Sequence, residues 1–472
     1  MKTMNPRRYL GLRPAILSSI PQDPFQLDAP EPRYVFVPKA HVRALDPDNM
    51  LVVGGRGTGK SFWWNALLSQ DAREVVTPMV PALGRTQIVA LPGWSPDNRP
   101  ELFPDKDTIA QIRGRGVPAR SIWRTVFLAL VAPDFFDESS TWDSKVDWVT
   151  KNPEQVARAL RDRDASYTAR HEKALVLFDA LDRTADYWGE IRELTKGLLQ
   201  LILDLRGTRA LRAKAFVRSD MLADSVLTAF PDASKVLSGK VELSWSHLDL
   251  YALLWQYMGN ADDGADAFRR LCPGWTHDAG VYRMPETLRN DEATQRHVFS
   301  AIAGEAMGAS KKRGIPYTWI HTHLSDAHGI VTPRSFLTAL RTAAVQATSS
   351  DTLDVKSIHA GVQQASSIRV DELVREDYPW TQEAMEALEG LQVPCDADEM
   401  EDRWASKKVP EKLSVRSDGR TTRHDLSTLD GLRHALVDIG VLEQRRDGRF
   451  NIPDVYRVGF GMKRKGGIRA GP

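Results

Sequence analysis

Apolar residues in the first half of the chain gather in short runs that alternate with longer amphipathic stretches. The runs predict β-strands at residues 34–37, 50–53, 86–91, 174–178 and 213–217. The stretches between them predict helices at residues 62–68, 120–131, 154–163 and 186–205. Most of the runs carry few polar residues, which is typical of parallel strands covered on both faces. The pattern therefore predicts a doubly wound parallel α/β core over residues 31–245.

The second half of the chain has a helical pattern that changes at Asp377-Tyr378-Pro379. Helices are predicted at residues 248–258, 265–271, 291–307, 333–347 and 355–374, and beyond the change at 382–390 and 429–440. Two short strands around Arg446-Asp447-Gly448 then predict a β-hairpin. We expect an α-helical lid over residues 246–376, a winged-helix-like domain over 377–460 and a basic tail over 461–472. The first 30 residues are a proline-rich lead-in that we expect to pack on the α/β core.

Composition is that of an ordinary soluble protein, with 42% hydrophobic and 26% charged residues in a chain of 472. Its apolar runs are far too short to cross a bilayer, so no membrane association is expected. Two distant cysteines, Cys272 and Cys395, indicate a reducing compartment and predict a cytoplasmic protein. Net charge is only +1, yet residues 403–472 hold 16 basic and 8 acidic side chains. This basic end predicts an anionic partner, or else a solvated surface.

One segment carries a specific motif, because residues 54–61 fit GxxxxGK[ST] between a predicted strand and a predicted helix. Glycines let the backbone N–H groups of such a loop point at phosphate oxygens, and the helix adds its positive end. Lys60 is predicted to reach the β- and γ-phosphates, and Ser61 to hold Mg²⁺. The predicted nucleotide-binding residues are Gly54, Gly55, Arg56, Gly57, Thr58, Gly59, Lys60, Ser61 and Phe62.

A P-loop needs a carboxylate at the end of a neighbouring strand, and the apolar run 175–178 ends in Asp179. We therefore predict that Asp179 orients Mg²⁺, the alternative being a helix N-cap. Hydrolysis also needs a group that orients or deprotonates water. Ala180 follows Asp179, so Asp182 is the nearest candidate base.

Two arginines are candidates for sensing the γ-phosphate. Arg218 follows the strand 213–217, at the edge of the sheet where ligands bind. Arg334 follows Thr332 and Pro333, which are typical of a helix start. A cation in this first turn is unfavourably placed in the helix dipole, which is easier to explain if Arg334 serves a phosphate or a partner. The alternative for both is a surface or salt-bridged arginine. Arg56 is predicted to face solvent or a partner.

Four segments of the chain together resemble the AAA+/STAND class of P-loop ATPases. They are the GxRGxGKS loop, the Phe-Asp-Ala-Leu-Asp after a strand, the Val-Arg-Ser-Asp after a later strand and the Pro-Arg of the helical region. The resemblance implies ATP and Mg²⁺ as ligands, self-association, and action on protein partners. Stand-alone bacterial ATPases of this kind often belong to multi-gene systems for phage defence or mobile DNA. Ring-forming AAA+ proteins carry Glu where this chain has Ala180, which implies slow hydrolysis.

Two functions remain open from the sequence. The first is an ATPase switch or remodeller that acts on protein partners. The second is a DNA-binding protein regulated by ATP, in which phosphate contacts come from basic residues of the hairpin and the tail. These residues are Arg445, Arg446, Arg449, Lys463, Arg464 and Lys465. A GTPase is disfavoured because the Asn-Lys-x-Asp pattern is absent, and the lid and winged helix suit a small-molecule kinase poorly.

Overall fold

The structure is a computed structural model that describes residues 11–22, 29–97, 99–222, 227, 229–349, 351–414 and 424–464. It divides into two units. The P-loop unit is Leu27–Ser244, and the helical unit combines Met1–Gln26 with Trp245–Pro472.

A five-stranded parallel sheet forms the centre of the P-loop unit. Its strands are β1 (Leu51–Gly54), β2 (Gln87–Trp94), β3 (Glu172–Phe178), β4 (Leu211–Arg218) and β5 (Val241–Glu242). Their order is β2-β3-β4-β1-β5, so β1 lies between β4 and β5. Because all strands run the same way, the carboxyl ends of β1, β3 and β4 meet at one edge of the sheet.

Helices cover both faces of this sheet. The α-helices described in the P-loop unit are Val42–Leu45, Lys60–Leu68, Gln70–Val76, Lys106–Gly114, Ala119–Val131, Trp142–Lys151, Pro153–Ala169, Trp188–Asp204, Ser219–Leu222 and Ala233–Leu237. One buried core joins Trp63 and Leu67 of the first long helix to Leu177. The other joins Trp123 and Leu198 to strand residues on the opposite face. The doubly wound α/β core predicted from the apolar runs is therefore confirmed.

The apolar run at residues 34–37 does not form the predicted strand. The chain makes a 3₁₀ helix at Pro32–Tyr34, and the next residues pack through their side chains, with Val35 and Val37 buried in the core beside the P-loop helix. Two flanking prolines, Pro32 and Pro38, lack the N–H that a ladder requires, which favours this irregular path.

The helical unit contains the predicted helices together with several that the pattern did not indicate. Its described α-helices are Leu12–Ser19, His247–Gly259, Ala265–Arg269, Glu286–Asn290, Glu292–Ala303, Pro316–Leu324, Pro333–Gln346, Val355–Glu372, Thr381–Glu386, Ala397–Ser406, Val409–Ser414, Leu429–Asp438 and Asp454–Arg457. Pro333–Gln346 and Val355–Glu372 cross at Gly361, where a Cβ would lie 2.1 Å from the carbonyl oxygen of Ala339. Only glycine permits this close approach.

The N-terminal helix Leu12–Ser19 packs against helices of the helical unit, and the expectation that the lead-in packs on the α/β core stays a prediction. Arg13 Nε donates to the carbonyl of Ala344 at 2.6 Å, and Arg341 Nη1 donates to the carbonyl of Leu17 at 2.9 Å. The apolar face of this helix packs against neighbouring helices of its own unit, with Leu12 and Ile16 fully buried.

Three small two-stranded elements complete the helical unit. The predicted hairpin forms from β9 (Glu443–Gln444) and β10 (Phe450–Asn451), which pair antiparallel. Together with its helices it gives the winged-helix outline expected from the sequence. A second hairpin, β6 (Thr276–Asp278) and β7 (Val281–Arg283), interrupts the stretch that was expected to be wholly helical. Strand β8 (Gln392–Val393) pairs in parallel with β11 (Lys463–Arg464). Within the described residues, no helix is both long and apolar enough to span a membrane.

Candidate functional site

The glycine-rich loop of the motif joins β1 to the helix Lys60–Leu68, as the sequence predicted. Gly57 and Gly59 have φ angles of 74° and 102°, a region that side chains with a Cβ rarely enter. Thr58 Oγ1 donates to the carbonyl of Gly55 at 2.9 Å and closes the turn. The loop thus has the tight curl that turns backbone N–H groups inward.

Lys60 lies at the first position of this helix, and its ammonium folds back over the loop. Nζ donates to the carbonyl oxygens of Gly54 at 3.0 Å and Gly55 at 2.7 Å. Burial lowers the pKa of Lys60 to about 8, while the nearby Asp179 carboxylate opposes that shift. The side chain is therefore mostly charged at neutral pH and lies where the motif predicts a phosphate.

Asp179 follows β3 directly and is buried, with 3% of its surface exposed. Its carboxylate lies next to the side chain of Ser61, and its backbone N–H donates to the carbonyl of Trp94 at 3.0 Å. Burial raises the pKa of Asp179, while Ser61 and Lys60 favour the charged form. The sheet thus brings the two predicted Mg²⁺ residues into contact.

The donor set fits Mg²⁺ held jointly with a nucleotide. Oxygen ligands from one hydroxyl and one carboxylate suit this ion, which usually takes further ligands from water and phosphate. Among the described residues, no group of three or more His, Cys, Asp or Glu side chains forms a metal site on its own. Ser61 and Asp179 would therefore provide the protein ligands, with the remainder from phosphate and water.

Arg218 ends β4, paired in register with Gly54 of β1, and its guanidinium contacts two carboxylates. Nε and Nη2 donate to the two oxygens of Asp220 at 3.0 and 2.8 Å. Nη1 donates to Asp182 Oδ2 at 3.3 Å. The Arg218 side chain is 7% exposed and that of Asp182 16% exposed, so both groups lie in a poorly hydrated place.

Asp182 is placed beside Arg218 by an unusual turn. Ala180 has a φ of 50°, in the left-handed region that a residue with a Cβ enters at a cost, and the 3₁₀ helix Leu181–Arg183 follows it. The charges of Asp179, Arg218, Asp182 and Asp220 all act on the pKa of Lys60. The structure therefore brings four of the predicted catalytic residues, Lys60, Asp179, Asp182 and Arg218, into one cluster.

Asp220 is a residue of this cluster to which the sequence pattern assigned no role. The signal was present in Arg218-Ser219-Asp220, because an acid two residues after an arginine can fold back onto it. That signal is weak, since arginine–acid spacings of this kind occur throughout any charged chain.

Arg334 lies in the helical unit, outside this cluster's own unit. It occupies the first turn of Pro333–Gln346, which Thr332 caps through its side chain, as predicted. Its Nη1 donates to Glu372 Oε1 at 2.8 Å, so Arg334 forms a salt bridge, as the alternative interpretation of the sequence expected. Arg369 also contacts Glu372 and holds Asp377 at 2.9 Å. A role for Arg334 at the phosphate stays a prediction.

The remaining predicted contact residues that the structure describes are half-buried or exposed. Arg56 and Phe62 are half-buried on the loop and its helix. Arg445 and Arg446 are exposed at the turn of the β9–β10 hairpin, where Arg449 pairs with Asp447 at 2.7 Å. Lys463 and Arg464 are exposed on β11, and Arg464 also reaches Asp454 at 3.0 Å. Lys465 lies outside the described residues.

Comparison with known proteins gives distant structural likenesses. No protein-family model matches the chain, and no curated protein matches it. The ORC2 protein of Aeropyrum pernix, in ADPNP–ADP complexes, is 14% identical, covers 94% of each chain and has a TM-score of 0.44. Its ADP form is 13% identical over 95% of each chain, with a TM-score of 0.34. Cdc6p from Pyrobaculum aerophilum is 12% identical over 95% of each chain, with a TM-score of 0.31. Likeness at this level identifies no family for the chain.

Proposed function

We propose that this protein binds ATP with Mg²⁺ at the P-loop and hydrolyses it. The observation that carries the proposal is the buried Asp179 carboxylate, which lies next to the Ser61 side chain and in the field of the Lys60 ammonium that folds over the loop. A glycine-rich turn without a nucleotide has no need for a buried carboxylate against the first turn of its helix. Burying these charges costs free energy, which binding of a phosphate and a metal ion would offset. Perturbed charges of this kind are typical of functional sites.

Each residue of the cluster has a definite task in this proposal. Lys60 neutralises the β- and γ-phosphate charge, and Ser61 and Asp179 hold the metal ion, which when bound withdraws charge from the phosphates. Asp182 accepts the proton of the attacking water. Arg218 stabilises charge on the γ-phosphate as the bond to the leaving oxygen lengthens. Because Ala180 stands where a glutamate would bind water more closely, we expect slow turnover.

The biological role we propose is a cytoplasmic switch or remodelling ATPase that self-associates and acts on protein partners. The resemblance of its motifs to AAA+/STAND ATPases supports this role, and it also suggests a multi-component system such as anti-phage defence. Cys272 and Cys395 are both free, which suits a reducing compartment.

Steady-state ATP hydrolysis tests the proposal. Asp179→Asn should reduce turnover at least about 100-fold, since it removes the charged metal ligand from a buried site. Asp232→Asn is the matched control, because Asp232 is an exposed acid of the same unit that pairs with the exposed Lys235. Equal turnover in the two variants would refute the assignment of Asp179.

A second candidate function is DNA binding regulated by ATP. It is supported by the exposed arginines of the hairpin turn, Arg445 and Arg446, and by the basic excess of residues 403–472. Replacing both arginines with alanine should lower the slope of log affinity for duplex DNA against log salt by about 2, since each phosphate contact contributes about 0.9. Arg375→Ala is the control, because Arg375 is 79% exposed elsewhere in the same unit. An unchanged slope would exclude the hairpin as the DNA contact.

A further inference from the structure

Among the contacts of the described residues, Asp220 and Asp182 hold the guanidinium of Arg218 unequally. Asp220 receives two donors, at 3.0 and 2.8 Å, whereas Asp182 receives one donor at 3.3 Å. A two-pronged arginine–carboxylate pair is stronger and better oriented than a single long contact. The contact with Asp182 is therefore the one that a competing anion displaces first.

Chain connectivity strengthens this asymmetry. Asp220 lies in the short helix Ser219–Leu222, two residues after Arg218, so it stays close to the guanidinium. Asp182 comes from the turn after β3, on the neighbouring strand, and has no local tie to Arg218. Movement of one side chain can separate Arg218 from Asp182 without breaking the pair with Asp220.

The cluster also lies in the field of the phosphate-binding lysine. Arg218, Asp182 and Asp220 each interact electrostatically with Lys60. A γ-phosphate at the loop would bring at least two negative charges near Arg218, which is more than the single charge of Asp182. In a poorly hydrated site this difference favours transfer of Nη1 from the carboxylate to the phosphate.

We propose that Arg218 and Asp182 form a latch that a nucleoside triphosphate opens, and that Asp220 is the positioning residue that keeps Arg218 aimed at the site. This inference rests on the proposed ATP site and adds its regulation. In the closed latch, Asp182 is occupied by Arg218. When a γ-phosphate accepts the hydrogen bond from Arg218 Nη1, Asp182 is released. Asp182 is therefore available as a base only while a triphosphate is bound.

The reaction that follows is an ordinary hydrolysis. The water oxygen forms a bond to the γ-phosphorus, and its proton passes to the Asp182 carboxylate. The bond between the γ-phosphorus and the bridging oxygen breaks, which releases ADP and phosphate. Asp182 passes its proton to the departing phosphate or to solvent, and the carboxylate then pairs with Arg218 again, which closes the latch in the ADP-bound site.

Binding of ATP and ADP to the full chain, with turnover measured in parallel, tests the latch. Asp182→Asn removes the competitor for Arg218, so ATP should bind about fivefold more tightly while turnover falls at least about 100-fold. Asp220→Asn frees the guanidinium to turn toward Asp182, so ATP should bind about tenfold more weakly. ADP affinity should stay unchanged in both variants, as should both affinities in the Asp232→Asn control.

The Arg218→Gln background supplies the decisive comparison. There the latch has no cation, so adding Asp182→Asn should leave ATP affinity where Arg218→Gln alone puts it. A merely structural role for these acids predicts something else, namely equal losses of ATP and ADP affinity with lower thermal stability. Equal losses, or tightening by Asp182→Asn that persists without Arg218, would overturn the latch. Failure of the unaltered chain to bind ATP at all would instead overturn the proposed function.

Discussion

Lys214 on β4 offers a sharp test of how the sheet holds the segment that leads into the P-loop. Its side chain is fully buried, and Nζ donates to the carbonyls of Ala44 at 2.7 Å, Asp46 at 2.8 Å and Asn49 at 2.5 Å. The three donors of one ammonium thus satisfy three backbone acceptors just before β1. Lys214→Met keeps the length and most of the volume of the side chain and removes these donors together with their positive charge.

The expected cost follows from those three bonds. Each carbonyl that loses its donor costs about 1–3 kcal/mol, at the low end for Asp46, whose carbonyl also accepts from the Asn49 N–H at 3.0 Å. Relief from burying the charge returns part of the total. We expect a net loss of about 3 kcal/mol in the free energy of unfolding of the P-loop unit, measured by scanning calorimetry. Lys235→Met is the control, because Lys235 is 60% exposed and its loss should change stability by less than about 0.5 kcal/mol. Equal effects of the two substitutions would refute a stabilising role for the three bonds from Lys214 to backbone carbonyls.

The same lysine gives the stability a defined pH dependence. Burial lowers the pKa of Lys214 to about 7, against an ordinary value of 10.5. Between these values the unfolded chain binds more protons than the folded chain, so the contribution of Lys214 to stability rises with pH across this window. The stability difference between the unaltered chain and Lys214→Met should therefore grow from pH 7 to pH 10. A difference that shrinks over that range would contradict the assignment.

Two further substitutions test close contacts in the two units. Trp63 Nε1 donates to His41 Nδ1 at 3.0 Å, which leaves His41 Nε2 to donate to the carbonyl of Ser244 at 3.0 Å. Trp63→Phe removes the first donor, so it should lower the free energy of unfolding by about 1–2 kcal/mol, measured by chemical denaturation. No loss relative to Phe62→Leu, a half-buried neighbour, would show that this bond is unimportant. Gly361→Val should destabilise the helical unit by more than about 2 kcal/mol, because its Cβ would overlap the carbonyl of Ala339. Normal thermal unfolding of that variant would mean that the two helices separate easily.

The core strands could be predicted because parallel strands buried on both faces need continuous apolar runs, as residues 174–178 illustrate. The same reasoning was wrong for residues 34–37, whose apolar side chains are buried without any strand ladder. Periodicity reports burial, and it cannot distinguish a strand from an irregular buried segment beside prolines. The β6–β7 hairpin was missed for the opposite reason, because Thr276–Asp278 is wholly exposed and carries no apolar alternation.

The site was predictable to the extent that it depends on chain order. Lys60 and Ser61 begin the helix that follows β1 through the glycine-rich loop, and Asp179 directly follows β3. Because the strands are parallel, these positions meet at the same edge of the sheet. The pairing of Arg218 with Asp220 was not predictable, because it depends on how one guanidinium turns at the end of β4. The packing of Leu12–Ser19 in the helical unit was also beyond the sequence, since an amphipathic helix does not reveal which apolar surface covers it.

Steady-state ATP hydrolysis with Mg²⁺, with Lys60→Ala as the blank, tests the central claim most directly. The account predicts slow turnover by the unaltered chain and none above background in Lys60→Ala, with ATP binding lost in the same variant. Normal ATP affinity in Lys60→Ala would contradict the claim that this loop holds the phosphates.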